Sequence, residues 1–108
     1  MASQVTAQSG GQDPVQVDSG HYTVEMENDK VRVLRIRYGP HEKSVMHSHP
    51  PLVGVMLTDC NIRFTYPDGR TEDIAATAGQ VVSFPALDHL PENLGDQALE
   101  VIAVELKV

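Results

Sequence analysis

The sequence predicts an all-β domain, a sandwich or barrel of short antiparallel strands, and three observations carry that reading. From Gly20 onward, apolar and β-branched residues come in short runs bounded by Gly, Pro, Asn and Asp, which is how strands and their turns are written. In the clearest run Cys60, Ile62, Phe64 and Tyr66 alternate with Asn61, Arg63 and Thr65, the period of two that a half-buried strand requires. No window carries an apolar stripe at helical spacing. The even spacing of these runs suits about eight to ten strands closed into one sandwich or barrel.

Taken in order, residues 1–19 are rich in Ser, Gln, Gly and Asp, have no periodicity, and are expected to form a flexible leader with an edge segment near Val15–Val17. Residues 20–108 form the domain. Tyr22 to Met26 alternates weakly, and Asn28-Asp29-Lys30 turns the chain. In the run Val31 to Tyr38, Leu34, Ile36 and Tyr38 share one face, with Arg35 and Arg37 on the other, and Gly39-Pro40 ends it. Ser44 to His49 is expected to be extended, and Pro50-Pro51 blocks a continuing helix. Leu52 to Leu57 is apolar on both faces, as in a strand covered on both sides. Pro67-Asp68-Gly69 is a hairpin turn whose return strand is Thr71 to Ala76. Val81 to Phe84 is stopped by Pro85, Pro85 to Asp88 and Glu92 to Asp96 read as turns, and Leu99 to Val108 is a long terminal strand.

The 108 residues fit one domain with a modest core. A formal net charge of −7 argues against nucleic acid or an anionic membrane as partner. The single cysteine, Cys60, excludes an intramolecular disulfide and a thiolate-rich zinc site; its place beside Ile62 and Phe64 makes it a small buried apolar residue. The longest apolar run, Leu52 to Leu57, is too short to span a membrane, and the opening residues have neither a basic nor an apolar signal region, so the cytoplasm is the expected compartment.

Chemistry concentrates at His47-Ser48-His49. In an extended segment residues two apart share a face, so the two imidazoles project together. His89 follows the turn at Pro85 to Asp88; if the fold brings that turn beside the pair, three imidazoles converge as a metal site. His21 and His41 are expected at the surface. Glu42, in the loop before the pair, is expected to be solvated unless that loop folds inward to lend a carboxylate. Asp88 and Asn93 are expected to make turn hydrogen bonds. Phe64, Tyr66, Phe84, Met46 and Met56 are candidates to line the barrel, and Arg35, Arg37 and Arg63 are expected on its outside.

With these residues in place, the sequence resembles the cupin superfamily of small jelly-roll β-barrels, which carry the motifs G(X)5HXH(X)3-4E(X)6G and G(X)5PXG(X)2H(X)3N. Gly39 precedes His47-Ser48-His49 with seven residues between them; five residues separate Gly79 from Pro85 and three separate His89 from Asn93, as in the second motif, while its internal glycine is replaced by Leu87 and one residue fewer lies between Pro85 and His89. The likeness covers residues 20–108. It implies an antiparallel jelly-roll barrel. The motif glutamate falls at Val53 or Gly54, neither of which binds a metal, so the implied ligand set is His47, His49 and His89 alone.

Three neutral imidazoles suit a divalent transition metal such as Fe, Zn, Ni, Cu or, less well, Mn, and leave coordination positions open. The expected function is therefore a small metal-binding cupin acting as a metal-dependent enzyme, a dioxygenase or other oxygenase or a lyase, on a small polar substrate. The alternative is a metal- or ligand-binding module without catalysis. No catalytic residue is singled out beyond the ligands, and no nucleotide-cofactor fingerprint is present. Apolar residues on both faces of 52–57 and 99–108 suggest a homodimer that covers one sheet face or exchanges N-terminal strands.

Overall fold

The computed structural model describes residues 11–108. A short helix, α1 (Pro14–Val17), precedes nine strands: β1 (Tyr22–Glu27), β2 (Val31–Tyr38), β3 (His47–His49), β4 (Leu52–Met56), β5 (Cys60–Thr65), β6 (Thr71–Ala76), β7 (Val81–Phe84), β8 (Leu87–Asn93) and β9 (Leu99–Leu106). They form a five-stranded sheet, ordered β1-β2-β9-β4-β7, and a four-stranded sheet, ordered β3-β8-β5-β6. Every strand pairing is antiparallel. This is the all-β jelly-roll architecture the sequence implied.

The inward residues follow the predicted alternation. Leu34 and Tyr38 on β2, Leu99 and Ala103 on β9, Leu52 and Met56 on β4, and Cys60 on β5 meet in one core with Tyr22 and Ala76. Each large apolar side chain buried there stabilises the fold by about 1.5–3 kcal/mol. Tight turns close the hairpins. At Pro67-Asp68-Gly69 the glycine takes φ +90°, a left-handed conformation that costs a side-chain-bearing residue, while Tyr66 and Arg70 pair across the turn.

Three elements differ from expectation. The edge segment near Val15–Val17 is a helical turn instead. Asp13 caps it by accepting from the Val15 amide at 3.0 Å, and Pro14 occupies the first helical position, where its missing N–H costs nothing. Within the expected leader, residues 1–10 lie outside the described residues; from Gln12 onward the chain is held, its Gln12 carbonyl accepting from the Ser48 amide at 2.8 Å. Second, of the extended stretch expected from Ser44 only His47–His49 forms a strand. Third, the turns expected at 85–88 and 92–96 are partly taken up by a seven-residue strand, β8, which runs from Leu87 to Asn93 and contains Pro91. The Pro91 carbonyl accepts from the Ser44 amide, so its missing N–H faces the irregular segment before β3 rather than a full ladder.

Candidate metal centre

The backbone brings the three histidines together. His47 on β3 is the direct cross-strand partner of His89 on β8, and His49, two residues on, shares the face of His47. Their ring centroids stand 4.8–5.2 Å apart at nearly right angles. All three are buried. One nitrogen from each falls within 4.8 Å of the others, a span that one ion can share.

Hydrogen-bond accounting shows which nitrogens are free. The Val45 carbonyl can only accept, so His47 carries its proton on Nδ1, 2.9 Å from that oxygen, and its Nε2 is a lone pair that the Tyr22 hydroxyl reaches at 3.2 Å. His49 Nδ1 lies 2.6 Å from Glu105 Oε2, which leaves its Nε2 as the other lone pair. Among the described residues His89 has no partner at either ring nitrogen, although both are buried. Burial, followed by the neighbouring His49, lowers the His47 pKa to about 4. Burial, and then His49 and His47, hold His89 well below the ordinary imidazole range. Rings kept neutral, and a buried imidazole whose polar atoms are otherwise unsatisfied, fit a bound cation.

Residues that sequence reasoning did not single out complete the surroundings. Glu105, on β9, accepts from His49 on one oxygen and from Arg32 Nε on the other, at 2.8 Å. Arg32 spreads its two terminal nitrogens onto both oxygens of Asp13, each at 2.9 Å. Desolvation opposes these charges, but the pairing outweighs it: the Asp13 pKa is lowered and that of Arg32 raised. Tyr22 bonds Tyr38 hydroxyl to hydroxyl at 2.7 Å, and burial pushes both phenols upward so that they remain neutral. The signal for Arg32 and Glu105 was present in the alternation: Arg32 is in phase with Leu34, Ile36 and Tyr38, and Glu105 with Leu99, Val101 and Ala103.

Other candidates lie elsewhere. Glu42 is exposed, accepting from the Gly39 amide and pairing with His21, and so does not supply the missing carboxylate. His41 is exposed with φ +61° and pairs with Asp96. His21 stacks on Tyr38 and is held between Asp18 and Glu42. Asp88 accepts from Ser48, the residue between the two histidines. Asn93 ties the turn together, donating to the Gly39 and Gln97 carbonyls and accepting from the Gly95 amide. Arg35 pairs with Glu25 and Glu100, and Arg63 with Asp73, on the outer surface. Of the two positions where the motif glutamate falls, Gly54 is the one turned inward; a Cβ there would meet the Met56 methyl at 3.3 Å and Val82 at 3.4 Å.

His49 and His89 open onto a cavity of about 80 Å³ inside the barrel. Phe64, Phe84 and Met56 line it, as proposed from the sequence, whereas Tyr66 and Met46 do not. Among the described residues its wall is apolar apart from the two histidines, Cys60 and the two tyrosines, and holds no lysine or arginine. Burial raises the Cys60 pKa, as fits a packed thiol and not an activated one.

No protein-family model matches the sequence, and no curated protein matches it. Solved structures do. A cupin domain from Bordetella pertussis Tohama I is 25% identical with a TM-score of 0.75, over 81% of this chain and 92% of that one. An RmlC-like cupin with a double-stranded β-helix fold from Methanocaldococcus jannaschii is 19% identical with a TM-score of 0.62, over 83% and 84% of the two chains. The polyketide cyclase RemF from Streptomyces resistomycificus is 17% identical with a TM-score of 0.59, over 81% of this chain and 64% of its own. On the likeness to the Bordetella domain, and on the two-sheeted barrel that carries it, the chain belongs to the cupin superfamily.

Proposed function

We propose that the protein is a metal-dependent enzyme of the oxygenase or lyase type, with His47, His49 and His89 as the ligands. The observation that carries this reading is the buried His89, whose two ring nitrogens have no partner among the described residues and stand beside two further imidazoles. A divalent transition metal held there would supply Lewis acidity and open positions for substrate. The chain's own residues do the rest. The Val45 carbonyl and Glu105 fix the tautomers of His47 and His49. The apolar wall excludes water from the substrate, and the neutral Tyr22 hydroxyl stands beside His47 as a hydrogen-bonding group.

The wall also narrows the substrate. With no lysine or arginine in the lining among the described residues, a second charged group on the substrate would be buried without a partner there. The small polar substrate expected from the motif is therefore better described as one with a single chelating polar head, such as a diketone or an aromatic acid, and an apolar body. The fold likeness to a polyketide cyclase is compatible with a substrate of that kind.

Elemental mass spectrometry on protein purified without tag or chelator tests the reading. Roughly one equivalent of a transition metal is expected in the wild type and none in the His47→Ala/His49→Ala variant. Absence of metal from both, even after reconstitution, sinks it. Metal without turnover of any diketone or aromatic acid leaves a binding module.

We also propose a homodimer through the outer face of the five-stranded sheet. Two cross-strand rows there, Val33–Val104–Val53 and Ile102–Val55–Val81, make a continuous apolar surface whose edge residue Val81 is 62% exposed.

A further inference from the structure

We propose that Glu105, clamped by Arg32 and Asp13, is a positioning residue that supplies through His49 the negative charge the three-histidine set lacks. This rests on the metal reading above. Glu105 is 2% exposed, and a carboxylate so buried needs partners on both oxygens. It has them in the His49 Nδ1–H at 2.6 Å and Arg32 Nε at 2.8 Å. Strand register fixes the arrangement, since Arg32 is the direct neighbour of Glu105 on β2 and Leu52 its neighbour on β4.

The charges do not cancel. Asp13 and Glu105 are two anions and Arg32 one cation, so the triad, buried at its Glu105 end and partly exposed at Asp13, presents one net negative charge. It is delivered to the ring nitrogen opposite the lone pair of His49. Hydrogen bonding to a carboxylate makes an imidazole a stronger donor to a metal and locks its orientation. His47 donates instead to a neutral carbonyl, and His89 to no group among the described residues. His49 is thus the strongest donor of the three, and no coordination position is consumed in making it so.

Cobalt(II) titration of the full-length protein, in competition with a chelator, tests this. Glu105→Gln keeps the shape and an acceptor oxygen while removing the charge; it is expected to lose about 10–100-fold in cobalt affinity and to shift the visible cobalt bands. Asp13→Asn, which neutralises the triad from its far end, is expected to show a smaller loss in the same direction. A Glu105→Gln variant that melts at lower temperature yet binds cobalt like the wild type, with the same spectrum, assigns Glu105 to the fold alone and overturns the proposal. If Glu105→Gln does not fold, unchanged affinity in Asp13→Asn overturns it. Failure of the wild type to bind cobalt refutes the metal reading instead.

Discussion

His47 stands in the histidine cluster as a neutral base, its pKa lowered to about 4 by burial and the adjacent His49, and burial holds His89 well below the ordinary imidazole range. An unfolded chain protonates both near pH 6.5. The stability they contribute is therefore fully present above pH 6.5 and is lost as the pH falls towards about 4. For His47 this amounts to on the order of 3 kcal/mol. His21 acts with the opposite sign. Burial opposes its charge, but Asp18 and Glu42 raise its pKa, so its contribution is complete below pH 6.5 and fades as the pH rises through the folded value. The metal-free protein is expected to lose stability in urea between pH 6.5 and 4, with a shallower slope in His47→Gln. An equal slope in that variant would remove His47 as the cause. At this scale the sequence showed that His47 and His49 share a face, because His-x-His in an extended segment allows only one relative direction. It concealed Arg32 and Glu105 because charged residues are read as solvated by default, even where their phase puts them inside.

Most strands were legible because each is bounded by a turn residue and alternates, as β5 does from Cys60 to Phe64. β8 was not. Pro91, Glu92 and Asn93 are turn formers, and their local preference is overridden by pairing with β5, where Phe64 opposes Pro91. α1 was hidden for the converse reason: four residues cannot display a helical period, and what holds them is tertiary. Pro14 is buried, Val15 packs on the core, and Asp13 reaches Arg32. Pro14→Gly, which removes the buried ring and the preset φ together, is expected to cost about 1–3 kcal/mol in chemical denaturation. A loss within a few tenths of a kcal/mol would mean that α1 is only loosely attached.

Across the molecule, the jelly roll separates two surfaces of the same five strands, an inner face that lines the cavity and an outer face where a patch of valines and isoleucine lies beside the ion pairs of Arg35 with Glu25 and Glu100. Sedimentation across micromolar concentrations is expected to give a dimer mass, and Val55→Asp/Ile102→Asp a monomer that keeps the fold; a monomeric wild type ends the dimer reading. The sequence indicated both faces of β4 as apolar, but pairing alone told which residues turn inward, because the phase of a strand is set by its neighbours. The direct pairing of His47 with His89 has one more consequence. Because side chains alternate, a slip of β8 by a single residue would bring Asp88 or Leu90 opposite His47 and turn His89 to the far face. Retention of an ion would then certify that β3 and β8 had aligned correctly, and incorrectly aligned chains would be left without that ligand's contribution to stability and so be the first removed by proteolysis.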